Sequence, residues 1–158
     1  MLHVKNLRCY YGRIMAIKGV SISVRKGELI TLIGANGSGK STLLMAICGL
    51  LSSWKGEIRF EETALKGMDP PAIFRRGISL VPEDRKSQGL FSGQSVRSNA
   101  AVTLMEKFAR FGFLMYKKIE QWVRQVIQRL QIRTPSLAQK VRNLSGGNQQ
   151  KVVISRWL

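Results

Sequence analysis

Nine residues, Gly34-Ala35-Asn36-Gly37-Ser38-Gly39-Lys40-Ser41-Thr42, constrain this chain more than any other stretch. Glycines at 34, 37 and 39 let the main chain adopt conformations that other residues resist, and turn successive N–H groups toward one point. The apolar segment Leu29 to Ile33 predicts a strand leading into the loop, and Leu43 to Leu50 predicts a helix leaving it. Strand, glycine-rich turn and helix in that order form a cradle for polyphosphate, because amide donors and the positive end of the helix converge there. A turn that merely caps a helix would not need to end in lysine and serine. Here Lys40 supplies a point charge for β- and γ-phosphates, the Ser41 hydroxyl a ligand for Mg2+, and Thr42 a further phosphate contact.

A second motif, Leu144-Ser145-Gly146-Gly147-Asn148-Gln149-Gln150-Lys151, opens another helix more than a hundred residues downstream. Serine is suited to cap that helix, and two glycines expose amide donors at its positive end. Together the two motifs resemble the ATP-binding cassette (ABC) family, whose Leu-Ser-Gly-Gly signature closes over the nucleotide held by another subunit. The resemblance implies an α/β fold of the P-loop NTPase class, with an antiparallel β subdomain and an inserted helical subdomain. It implies ATP and Mg2+ as ligands, held by Gly34, Ala35, Asn36, Gly37, Ser38, Gly39, Lys40, Ser41 and Thr42. Tyr11, in Tyr10-Tyr11-Gly12, takes the place of the family's aromatic that stacks on adenine. Ser145, Gly146, Gly147 and Gln149 would meet the partner's ATP. Pro82-Glu83 stands where many relatives carry a magnesium-sensing glutamine, which makes Glu83 a second candidate metal ligand.

The implied partners are a second cassette, in a homo- or heterodimer, transmembrane permease subunits and, indirectly, a solute-binding protein outside the membrane. Residues Met1 to Glu83 resemble cassettes of branched-chain amino acid importers. Val81-Pro82-Glu83-Asp84-Arg85-Lys86, Arg133-Thr134-Pro135-Ser136 and Asn143 to Leu158 resemble the second cassette of ribose- and xylose-type sugar importers. The longer carboxy-terminal match favours an ATP-binding subunit that couples ATP binding and hydrolysis to uptake of a sugar; a branched-chain amino acid cassette and an inert or ATP-binding-only fragment are the alternatives. The family's strand ending in Asp-Glu and its later histidine would lie beyond Leu158, so Lys40 is the one residue of the catalytic apparatus in this chain. The only histidine, His3, reads as structural. The expectation is therefore a truncated cassette that binds ATP and hydrolyses it poorly.

Apolar residues make up 44% of the 158, enough for a core of ordinary domain size. The longest apolar run, Leu43 to Leu51, falls short of the ~20 residues that cross a bilayer, and the amino terminus has no signal-peptide pattern. A cytoplasmic protein, held on the inner face of the membrane through its partners, is expected. Net charge is +17, and residues 85 to 158 carry fourteen Lys and Arg against Glu106 and Glu120. Nucleic acid is not the expected partner, because no DNA- or RNA-binding motif accompanies the charge. The surplus is better placed against anionic lipid headgroups beside the permease. Cys9 and Cys48 lack metal-ligand spacing and read as small core residues.

One domain is expected, with a nucleotide-binding core and β subdomain over 1–84, a helical subdomain over 85–142, and the signature and its helix over 143–158. Strands are predicted at Leu2–Tyr10, Val20–Arg25, Glu57–Phe60 and Ile78–Val81, with a turn at Trp54-Lys55-Gly56 and a helix over Pro71–Arg76. Ile119, Trp122, Val123, Val126, Ile127 and Leu130 form one apolar stripe at helical spacing and predict core. Phe91, Phe108, Phe111, Phe113 and Tyr116 are candidates for the groove that, in the resembling importers, receives the permease.

Overall fold

The computed structural model describes all 158 residues. The chain divides into two compact units, Met1–Leu80 and Val81–Leu158, so that the expected helical subdomain and signature segment fall in the same unit.

The first unit is built on four antiparallel strands in the order β2-β1-β3-β4, comprising β1 (Leu2–Tyr11), β2 (Ile14–Val24), β3 (Trp54–Phe60) and β4 (Thr63–Ala64). On β1, buried Val4, Leu7 and Cys9 face the core, while Lys5 and Arg8 are exposed. The odd spacing from Val4 to Leu7 is absorbed by a break in register with both neighbours, where Asn6 takes φ 47°. Gly56 of β3, at φ 105°, lies against this irregularity; a Cβ there would come within 2.7 Å of the Lys5 carbonyl. Trp54 and Lys55 are therefore not a turn as expected but the start of β3, paired with Cys9 and Arg8. Two helices, α1 (Lys40–Ile47) and α2 (Pro70–Arg75), complete the unit. Leu43, Ala46 and Ile47 of α1 and Ile73 of α2 join Leu7, Cys9, Ile17 and Ile58 in one core. Asp69 caps α2 by accepting from the Ala72 N–H at 2.8 Å, directly before the two prolines that start it. Burial pushes the Cys9 and Cys48 thiols up, and neither is in a disulfide.

The predicted strands at Leu29–Ile33 and Ile78–Val81 are not formed as strands. Leu29 and Ile33 are each 92% exposed, while Leu32 and Ile78 pack against the core. The physical reason is that a strand exists only through its ladder, and apolar runs of this kind are stable when flanked by parallel neighbours. Neither segment finds one within this chain.

The second unit is mainly helical. Asp84 caps a single π-helical turn, Arg85–Gly89, accepting from the N–H groups of Lys86 and Ser87 at 3.0 and 3.3 Å and from the Ser87 hydroxyl at 2.7 Å. Helix α3 (Val96–Ala101) follows, then a two-residue hairpin of β5 (Ala109–Arg110) and β6 (Phe113–Leu114), helix α4 (Tyr116–Arg129) and helix α5 (Gly146–Ser155). The predicted stripe lies on α4 as core: Ile119, Val123 and Val126 are buried, and Trp122 and Ile127 pack beside them. Val96, Ile132, Val141 and Val152 form a second cluster that fastens α5 to α3.

Candidate functional site

The loop Gly34–Gly39 is exposed to solvent over most of its length and runs directly into α1. Gly37 and Gly39 sit at φ 83° and 93°, in the left-handed region that favours glycine. Gly39 has a second reason to lack a side chain, since a Cβ would press to 3.2 Å on the Ala16 carbonyl and the Ile17 side chain. Gly34 lies outside that region, and a Cβ there would meet the Ser38 hydroxyl at 2.7 Å. No side chain caps α1, and no acidic residue lies in its first turn, so its positive end is left open to an anion.

Lys40 folds back over this loop. Its ammonium donates to the carbonyls of Gly34 and Ala35 at 2.7 and 2.9 Å, and to the Ser38 hydroxyl at 3.4 Å. No carboxylate pairs with it, so the charge remains for a ligand. The Ser41 residue beside it is exposed, and its hydroxyl oxygen is a donor atom of the kind hard cations take. Thr42 is buried, and its hydroxyl lies 3.4 Å from the Tyr11 hydroxyl, because the first turn of α1 packs against the end of β1. That contact brings Tyr11 to the loop. Tyr11 is 48% exposed, so the residue is open to a ligand at the loop.

The signature residues lie in the second unit, at the start of α5. Ser145 is the N-cap position, but its hydroxyl does not cap the helix as the sequence suggested. It accepts instead from the Asn148 side-chain amide at 3.0 Å, which occupies the place a backbone N–H would have taken. Gly147 has open space around it; Gly146 is pressed, since a Cβ would come within 2.8 Å of the Arg85 guanidinium. Gln149 differs from its expected role. Only 7% exposed, it donates to the carbonyls of Val141 and Leu144 and accepts from Arg85, so its amide is committed inside the unit. Asn148 accepts from the Arg133 N–H at 2.9 Å, and Lys151 donates to the Gln131 carbonyl at 3.0 Å. The polar string thus anchors α5 to the chain around it and presents Ser145, Gly146 and Gly147. Sequence reasoning missed Arg85 and Asn148 as positioning residues; the glycine at 146 was the only signal for the first. Glu83 is exposed in the second unit.

A family model described as ABC transporter matches residues 17–158. The ribose import ATP-binding protein RbsA 1 of Rubrobacter xylanophilus is 40% identical over 159 residues, covering 100% of this chain and 31% of that protein. The arabinose import ATP-binding protein AraG of Rhizobium etli is 38% identical over 139 residues, covering 88% of this chain and 28% of that protein. Among solved structures, a nucleotide-free ATP-binding cassette from an ABC transporter superposes with a TM-score of 0.78 at 31% identity, covering 100% of this chain and 64% of that one. The dimeric bacterial ABC transporter cassette MJ0796 gives 0.79 at 25% identity, covering 100% and 69%. The chain belongs to the ABC transporter family, as part of an ATP-binding cassette. Within the family it is homologous to ATP-binding proteins of sugar import, and it spans about a third of their length. The ribose-import relative aligns over the whole chain, residues 1–83 included.

Proposed function

We propose that these residues are the nucleotide-holding part of an ATP-driven importer of a sugar. The observation that carries the reading is the solvent-open Gly34–Thr42 loop, with the unpaired Lys40 ammonium drawn across its carbonyls. In this reading the ammonium exchanges those carbonyls for phosphate oxygens, and the loop and first-turn N–H groups of α1 donate to the same phosphates. Tyr11 offers its ring to the base. Ser41 would hold Mg2+, which supplies positive charge against the triphosphate. Glu83 is the second candidate ligand. The family's ATPase activity belongs, in this proposal, to the protein of which these residues are a part.

The second cassette of the dimer meets this one through the signature. Ser145, Gly146 and Gly147 would donate to the nucleotide of the partner, and the buried Gln149 supports them from behind rather than touching it. Dimeric cassettes among the structural relatives support this arrangement, and the names of the homologues support sugar as the cargo, with permease subunits and a solute-binding protein as further partners. Attachment to the inner face of the membrane follows from those partners. The test is sedimentation velocity of the full chain with Mg-ATP. The wild type should form an ATP-dependent dimer, while Ser145→Arg should bind ATP equally and remain monomeric. Loss of ATP binding by the monomeric Ser145→Arg chain would contradict an assignment across the dimer.

A further inference from the structure

The β5–β6 hairpin turns on Phe111-Gly112, with Ala109 paired to Leu114 and Arg110 to Phe113. Both turn residues have positive φ, 49° and 82°. A two-residue hairpin of this hand selects Asn-Gly, Asp-Gly or Gly-Gly, since only such residues enter the left-handed region without penalty. A phenylalanine here bears that strain, and it does so while 88% exposed. Beside it, Phe113 is 79% exposed and Tyr116 64%. Three rings in water, one on a strained backbone, bury too little in this unit to account for them.

The charges around the rings indicate what would cover them. Lys107, Arg110, Lys117 and Lys118 are all exposed, and the Arg110 guanidinium lies over the Phe111 ring at 5.4 Å from its centroid. Of the carboxylates in this region, Glu120 is bound to Arg124 at 2.6 Å, and only Glu106 stands against the four cations. An aromatic tip between basic side chains matches the interface of a bilayer, where rings settle at headgroup depth and cations meet anionic lipid.

We propose that this hairpin is a membrane-interfacial wedge, with Phe111 and Phe113 entering the headgroup region of a bilayer containing anionic lipid and Lys107, Arg110, Lys117 and Lys118 meeting its phosphates. The wedge stands on the hairpin alone and not on the import reading, so its failure would leave nucleotide binding untouched. The experiment is co-sedimentation of the full chain with vesicles of phosphatidylcholine alone, or with about a third phosphatidylglycerol. Wild type should bind the anionic vesicles and lose them in high salt. Phe111→Asn keeps every charge and suits the turn better, yet should weaken binding roughly tenfold. Phe113→Trp should shift its emission to the blue on anionic vesicles only. Undiminished binding by Phe111→Asn would overturn the wedge, leaving overall charge as the cause. Failure of the wild type to bind anionic vesicles would also overturn it, and a protein partner would then cover the rings.

Discussion

Single residues here carry loads that a sequence only partly reveals. Asn99 is fully buried and uses both ends of its amide: it accepts from the Phe91 N–H and from Arg156, and donates to the carbonyls of Phe91 and Ser95. Arg156 is buried with no carboxylate partner; burial lowers its pKa, and it also donates to the Asn99 carbonyl and lies over the Phe91 ring. Asn99→Ala should therefore cost about 3 kcal/mol in urea unfolding, since it removes a buried cation's hydrogen bond and strands the Phe91 N–H, while the Phe91 and Ser95 carbonyls keep their backbone donors. Asp84 supplies a pH test. Its bonds, first that from the Ser87 hydroxyl, hold its carboxyl below the ordinary value of 3.8. A lowered folded value means the ionised form stabilises the fold above about pH 4, and that contribution is lost as pH falls through the folded value. Compared with Asp84→Asn, the wild type should lose relative stability only at acid pH, read from thermal melts across that window. Phe111→Asn should raise the melting temperature, by relief of about 1 kcal/mol of left-handed strain.

At the scale of elements, what was legible depended on how local the determinants are. The phosphate loop and α1 could be read because glycines, lysine and serine specify the turn within nine residues, and the α4 stripe because one face of one helix sets it. The helix expected over Pro71–Arg76 is α2, Pro70–Arg75, whereas its Asp69 cap emerged only from the structure. The Leu29–Ile33 segment could not be judged locally, since its strand state depends on neighbours that the segment does not encode. The start of β3 at Trp54 was hidden because Gly56 looked like a turn; it instead accommodates the irregular stretch of β1 some fifty residues earlier. At the signature, serine before two glycines predicted a cap, but the hydroxyl had a competing donor three residues on, and Asn148 prevailed. Gln149 was assigned outward because the motif was read as a binding string, whereas most of its polar groups anchor α5. The Thr42 contact to Tyr11 was not legible either, because it spans 31 positions.

At the scale of the whole molecule, a chain of net charge +17 has affinity for anions in general, so its specificity must come from geometry rather than charge. That geometry belongs to the Gly34–Thr42 loop, with Lys40 at its centre. The most direct measurement is ATP affinity by isothermal titration of the full chain at physiological salt, for wild type and Lys40→Ala, with Lys40→Arg as a charge control. The wild type should bind Mg-ATP saturably, and both variants should lose at least about a hundredfold in affinity, because neither reproduces a compact ammonium over the loop carbonyls. Binding that persists in Lys40→Ala, or that survives equally in all three proteins, would contradict the central role of Lys40.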